Sequence, residues 1–229
     1  MTVVATGRRG WLMLLTLAAV AAGAALVVVA VLAQRTAPQP PRSTGSVDPS
    51  VSPSSPAPRG GSTGPAQPEG RVPLGASRPV FISIPAIAVR SRVNTIGLNN
   101  DGTLAVPQPG PHLDQAAWFR NSPTPGQPGP SIIEGHVDSD SGPSVFFRLG
   151  GVRPGDRIRV LRADGIRVTF TVNAVRNFKK SHFPTDVVYG AKDLGQSQLR
   201  LITCSQFDPS IRHHVGNAVI FAHLTSTQH

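Results

Sequence analysis

The stretch RIRVLRADGIRVTFTV, Arg157–Val172, reads as two strands joined by a tight turn. Arg157, Arg159 and Arg162 alternate roughly with Ile158, Val160 and Leu161, the period of two that one buried face demands. Asp164-Gly165 between the runs is a hairpin turn signal. Working outward, similar short β-type runs occupy Val80–Ile84, Ala88–Thr95, Ser131–Gly135, Ile166–Val175, Gln198–Thr203 and Asn217–His223. Asn100-Asp101-Gly102 and Gly126-Gln127-Pro128-Gly129-Pro130 mark loops between them. Helical periodicity is poor throughout, the best candidate being a short turn near Ser144–Leu149. Many short strands with frequent turns predict an all-β head, a closed barrel or sandwich of about 145 residues.

Upstream of Val80 the chain changes character twice. Trp11 to Ala33 is a 23-residue run without a charged side chain. As a helix it would span roughly 34 Å, enough for a hydrocarbon core of about 30 Å. Arg8 and Arg9 on the short stub before it favour an N-terminus inside and the remainder outside. Val31-Leu32-Ala33 resembles a weak cleavage site, but signal h-regions run only about 7–15 residues. The run therefore reads as a retained anchor. Residues 34–79 are rich in Pro, Ser and Gly and almost free of large apolar side chains, so they cannot offset chain entropy by burial. They read as a disordered tether with a reach between roughly 35–40 Å and 140 Å. The expected layout is a cytoplasmic stub (1–10), a single transmembrane anchor (11–33), a linker (34–79) and an extracytoplasmic head (80–229).

Composition narrows the function. The 229 residues carry 22 Lys and Arg against 12 Asp and Glu, a net charge of +10. Few aromatics accompany the arginines, and no helix-turn-helix, zinc-finger or RNA-recognition pattern appears, so no nucleic-acid partner is expected. The chain has one cysteine, which excludes an internal disulfide framework and any paired-cysteine zinc or redox site. No acidic cluster marks a calcium site; neither metal nor cofactor is expected.

Cys204 follows the apolar run Leu199–Thr203 and precedes the turn formers Ser205, Asp208 and Pro209, which predicts a thiol at a strand terminus. A lone cysteine is commonly a small buried hydrophobe; it becomes a candidate nucleophile when a histidine from elsewhere can join it. His136 is that candidate, because it ends the run Ser131–Gly135 and Gly135 permits a bend or close approach. His112, His182, His223 and His229 lie in loops or near ends, and His213 and His214 adjoin the turn before the last strand. Asp138 reads as a polar loop residue. Arg212 lies eight positions after Cys204, just before the final strand.

Together these pieces resemble the sortases, cysteine transpeptidases of Gram-positive cell surfaces, particularly the class E/F-like type of actinobacteria. The resemblance rests on Ile84-Pro85-Ala86-Ile87, Gly97-Leu98-Asn99-Asn100-Asp101-Gly102-Thr103-Leu104, Gly135-His136-Val137-Asp138-Ser139 and Leu201-Ile202-Thr203-Cys204, with Arg212 at a family-like interval. Arg200 departs from the family's Thr at the start of the last pattern.

The resemblance implies an eight-stranded barrel whose groove binds a sorting signal similar to Leu-Pro-x-Thr-Gly. Cys204 would form a thioacyl intermediate, and an amine such as that of lipid II or a pilin lysine would resolve it. His136 would serve as general acid and then base. Arg212, which stays protonated, would donate to the substrate carbonyl and the developing oxyanion. Thr203 would support the nucleophile by orienting arginine or substrate. Two alternatives stand beside this reading: an L,D-transpeptidase-like enzyme, which would be expected to carry Ser-x-Gly-Cys around its thiol, and a non-catalytic wall-binding module with an inert Cys204.

Overall fold

The structure, a computed structural model, describes residues 37–38, 74–190 and 195–229. The expected stub and apolar run 11–33 lie outside the described residues, as does most of the expected linker. Two compact units divide the chain, Met1–Ala37 and Pro38–His229, and the second contains the barrel.

Eight strands close the barrel: β1 (Pro79–Ile84), β2 (Val89–Ile96), β3 (Ala116–Phe119), β4 (Gly129–Glu134), β7 (Arg157–Arg162), β8 (Arg167–Lys179), β9 (Ser197–Asp208) and β10 (His213–Gln228). Their order around the wall is β1-β2-β3-β4-β9-β10-β8-β7, and a small hairpin of β5 (Asp138–Ser139) and β6 (Gly142–Pro143) stands apart. The pairs β2–β3 and β4–β9 are parallel, and the other barrel pairs are antiparallel.

The hairpin β7–β8 turns at Asp164-Gly165 as the sequence predicts, with Gly165 at φ 84, a left-handed value that glycine adopts without strain. One expectation fails there. Arg162 does not share the outward face of Arg157 and Arg159; it is 1% exposed. Strict alternation explains this, since position 162 has the parity of Ile158 and Val160, which point inward. Its guanidinium donates to the carbonyls of Pro125 (2.5 Å) and Gly75 (2.7 Å) and pairs with Asp164 (2.7 Å). This ties the segment before β1 to the barrel, and Leu74 packs on the core. Packing thus begins five residues before β1, inside the stretch read as linker.

Strand β3, Ala-Ala-Trp-Phe, is absent from the sequence reading. Four residues without polar alternation carry no period to detect. They become a strand because Val93–Ile96 and Ile133-Glu134 offer edges on both sides.

Two apolar layers follow from the alternation. Ile82, Ile84, Ile133, Ile158, Val160, Phe170, Leu199, Leu201 and Ile220 fill the barrel interior. On the opposite face of β4, β9 and β10, Ile132, Ile202 and Val219 form a second cluster with Val188, against which Leu104, Phe178 and Phe183 pack. The cover over this outer face is the chain leaving β8: a 3-10 turn at Lys180–His182 and the one-turn helix α1 (Thr185–Val188). Phe183 anchors the cover edge-on to Phe178, with ring centroids 6.0 Å apart.

Candidate active site

The second cluster opens into a cavity of about 590 Å³. Cys204, His136, Thr203, Glu134 and Lys180 line it, with Leu104, Val106, Ile202, Phe183 and Tyr189 supplying apolar walls. The register of two strands explains the meeting. In the parallel pair, Ile133 lies beside Leu201 and Glu134 beside Ile202. His136 and Cys204 each lie two residues beyond this last pair, and both line the cavity. Thr203 holds the step between them: its hydroxyl donates to the Gly135 carbonyl at 2.8 Å, while the Gly135 amide donates to Ile202 at 3.2 Å. A side chain at position 135 would not fit, because a Cβ there would lie 2.5 Å from Val145 and 2.9 Å from Phe146.

Cys204 does not end its strand, contrary to expectation. β9 continues to Asp208 through its pairing with β10, in which Cys204 faces Asn217. It is β4 that stops, at Glu134. The thiol is reachable because its parallel neighbour has left the sheet. Burial pushes the Cys204 thiol above its ordinary value; the Lys180 charge opposes this, and the charges of Glu134 and Asp138 reinforce the rise.

The strap from Leu98 to Pro107 crosses the mouth. Its bend is closed by hydrogen bonds between Asn99 and Thr103 and by Asp101, which accepts from Thr103. Pro107 then presents its carbonyl to His136 Nε2 at 2.8 Å. A carbonyl only accepts, so Nε2 carries a proton and Nδ1 remains for exchange with a reacting group.

Two features escaped the sequence reading. Asp138 is no free loop residue: its carboxylate oxygens each lie 3.1 Å from His214 Nε2, joining the loop after His136 to β10. Glu134 is 8% exposed, with Oε1 unpartnered, and burial raises its carboxyl to about 8. Near neutrality it is largely a neutral acid, able to donate to or accept from whatever enters the cavity. Partners 76 residues apart leave no local signal, although the parity of Ile132 and Glu134 hints at a shared face.

Arg212 is not drawn in. It is exposed at the tip of the β9–β10 hairpin, with φ 50, outside the residues that line the cavity. Four strand positions separate Cys204 from that turn, roughly 14 Å at extended geometry. Arg200, the departure from the family pattern, is buried on the outer face with its guanidinium 4.6 Å from the centre of the Phe221 ring. Among the described residues no group of three or more His, Cys, Asp or Glu gathers in a way that could hold a metal ion.

A family model described as the sortase domain matches residues 82–225, well over half of the chain. The chain belongs to the sortase family. The sortase C-1 of Actinomyces oris is similar at 19% identity, with a TM-score of 0.50 over 64% of this sortase and 73% of that chain. Sortase A of Corynebacterium diphtheriae, a lid mutant, is 21% identical, with a TM-score of 0.49 over 66% and 73%. Sortase A of Listeria monocytogenes is 20% identical, with a TM-score of 0.48 over 67% and 90%. No curated protein matches the sequence. Membership implies a cysteine transpeptidase, and this sortase has a single cysteine.

Proposed function

We propose that this sortase, of the class E/F-like type, cleaves a sorting signal similar to Leu-Pro-x-Thr-Gly and transfers the protein to an amine of the cell wall, such as lipid II. The presence of Cys204 and His136 in the lining of one largely apolar cavity carries the reading.

An ordinary thiol, with a pKa of about 8.5, is only a few per cent ionised at neutral pH. His136 Nδ1 takes its proton, and the thiolate attacks the Thr carbonyl. A C–S bond forms as the carbonyl pair moves to oxygen. Collapse breaks the C–N bond, and the leaving amine receives the proton from His136, without which it would be a very poor leaving group. The incoming amine returns a proton to His136 and forms a new C–N bond as the C–S bond breaks. Thr203 positions His136 through the Gly135 carbonyl. Arg212 has a part for a peptide long enough to run from the sulfur toward the hairpin tip, where its guanidinium would donate to a substrate carbonyl.

In this reading residues 11–33 anchor the enzyme with its N-terminus inside, and the chain from 34 up to the barrel tethers an extracytoplasmic head. Support comes from the length and neutrality of the run and from the two arginines before it. The test is turnover of a Leu-Pro-x-Thr-Gly peptide with a diamino acceptor, followed by mass spectrometry of the ligated product. Cys204→Ala is expected to lose at least about 10³-fold of the rate with its unfolding midpoint unchanged. Undiminished turnover in that variant would remove the thiol from the mechanism.

A further inference from the structure

Five chargeable groups from the surrounding elements face or influence the Cys204 sulfur: Lys180 and Tyr189 from the cover, His136 after β4, Glu134 on β4 and Asp138 on β5. Two of these are carboxyls, one of them already engaged by His214. Among the described residues lining the cavity, Lys180 is the one lysine or arginine.

Its placement follows from the strands. Phe178, Asn217 and Cys204 form a row across β8, β10 and β9, with Asn217 paired to both neighbours. β8 ends one residue later, at Lys179. Lys180 opens the 3-10 turn, so the chain leaves the sheet there and crosses its outer face. Lys180, Asn217 and Cys204 all line the same cavity, and the lysine's positive charge acts on the thiol. Arg212, exposed at the hairpin tip, is not among the residues lining the cavity.

We propose that Lys180 is the catalytic cation of this site, its ammonium donating to the Cys204 sulfur and supplying the positive charge against which the thiolate forms. The proposal rests on Cys204 being the nucleophile. Lys180 keeps its proton throughout: the thiol proton passes to His136, and the ammonium stays as a fixed charge and donor. After attack, negative charge moves from sulfur to the carbonyl oxygen bound to the same carbon, and the flexible ammonium can follow it.

The single cysteine makes the test direct, because alkylation by iodoacetamide reports one thiolate. The full chain in detergent is titrated across pH 5–10 as wild type, Lys180→Met, Lys180→Arg and Arg212→Gln. Lys180→Met is expected to move the alkylation midpoint about one pH unit higher and slow alkylation at pH 7 about tenfold. Lys180→Arg should retain most of the wild-type profile, and Arg212→Gln should leave it unmoved. Lys180 is exposed, so these variants should unfold at the wild-type temperature. An unmoved midpoint in Lys180→Met, or an equal shift in Arg212→Gln, would overturn the inference. Should Lys180→Met titrate as wild type while Cys204→Ala abolishes ligation, the Lys180 assignment fails and the enzyme reading stands. Should the midpoint shift as expected while wild type ligates nothing, the reverse holds.

Discussion

Arg162 and Glu134 are both buried ionisable residues at strand ends of the same barrel, and they are treated in opposite ways. Arg162 is 1% exposed, and its Nε, Nη1 and Nη2 atoms all donate, to Asp164 and to two backbone carbonyls. Glu134 is 8% exposed, with one carboxyl oxygen unpartnered in the cavity that contains Cys204. A buried charge with matched partners is a structural clamp; a buried carboxyl without them is destabilising unless something else uses it. The contrast separates the end of the barrel that holds the fold from the face that carries the candidate site.

Removing the unpartnered acid should produce the largest effect on stability. Burial lifts the Glu134 carboxyl from 4.5 to about 8. Between those values the folded protein binds the proton and the unfolded chain does not. Stability from this group is therefore complete below about pH 4.5, falls as pH rises through the window and levels off above about 8. The loss approaches roughly 4–5 kcal/mol. Glu134→Gln, neutral at every pH, should match the parent near pH 4.5 and exceed it by that order at pH 9. Urea titrations at pH 4.5, 7 and 9 check this, and parallel curves for the two proteins would erase the contrast.

Breaking the clamp should cost less but at every pH. Arg162→Met strands the Pro125 and Gly75 carbonyls and leaves Asp164 unpaired. A loss of about 2–4 kcal/mol is expected by denaturant unfolding at pH 7. Because Arg162 does not line the cavity, alkylation of Cys204 in the folded variant should be unchanged. A variant with slowed alkylation and full stability would invert the assignment of the two ends. The smallest stability effect belongs to Arg212→Ala. This exposed side chain should contribute within about 0.5 kcal/mol, so thermal melts that differ by more than a few degrees would show a contact the hairpin tip does not make.

Some of this was legible locally. The turn at Asp164-Gly165 and its flanking alternation announced β7–β8, and Gly135-His136 ending one apolar run while Cys204 followed another nominated two residues that line one cavity. β3 was not legible, because Ala116–Phe119 has no periodic pattern of its own. Nor was Lys180, since nothing about Lys179-Lys180 as a pair of neighbours says that one closes a strand and the next enters the lining of the cavity.

Sequence alone determined which faces of the strands are apolar, where the chain turns and which side chains have reactive chemistry, because periodicity and turn propensity act over a few residues. The tertiary structure decided the rest: that β4 ends where β9 continues, that Arg162 points inward and Glu134 toward Cys204, and that Arg212 stays at a hairpin tip. These depend on register between strands far apart in the chain, and a shift of a single position would send each side chain to the opposite face.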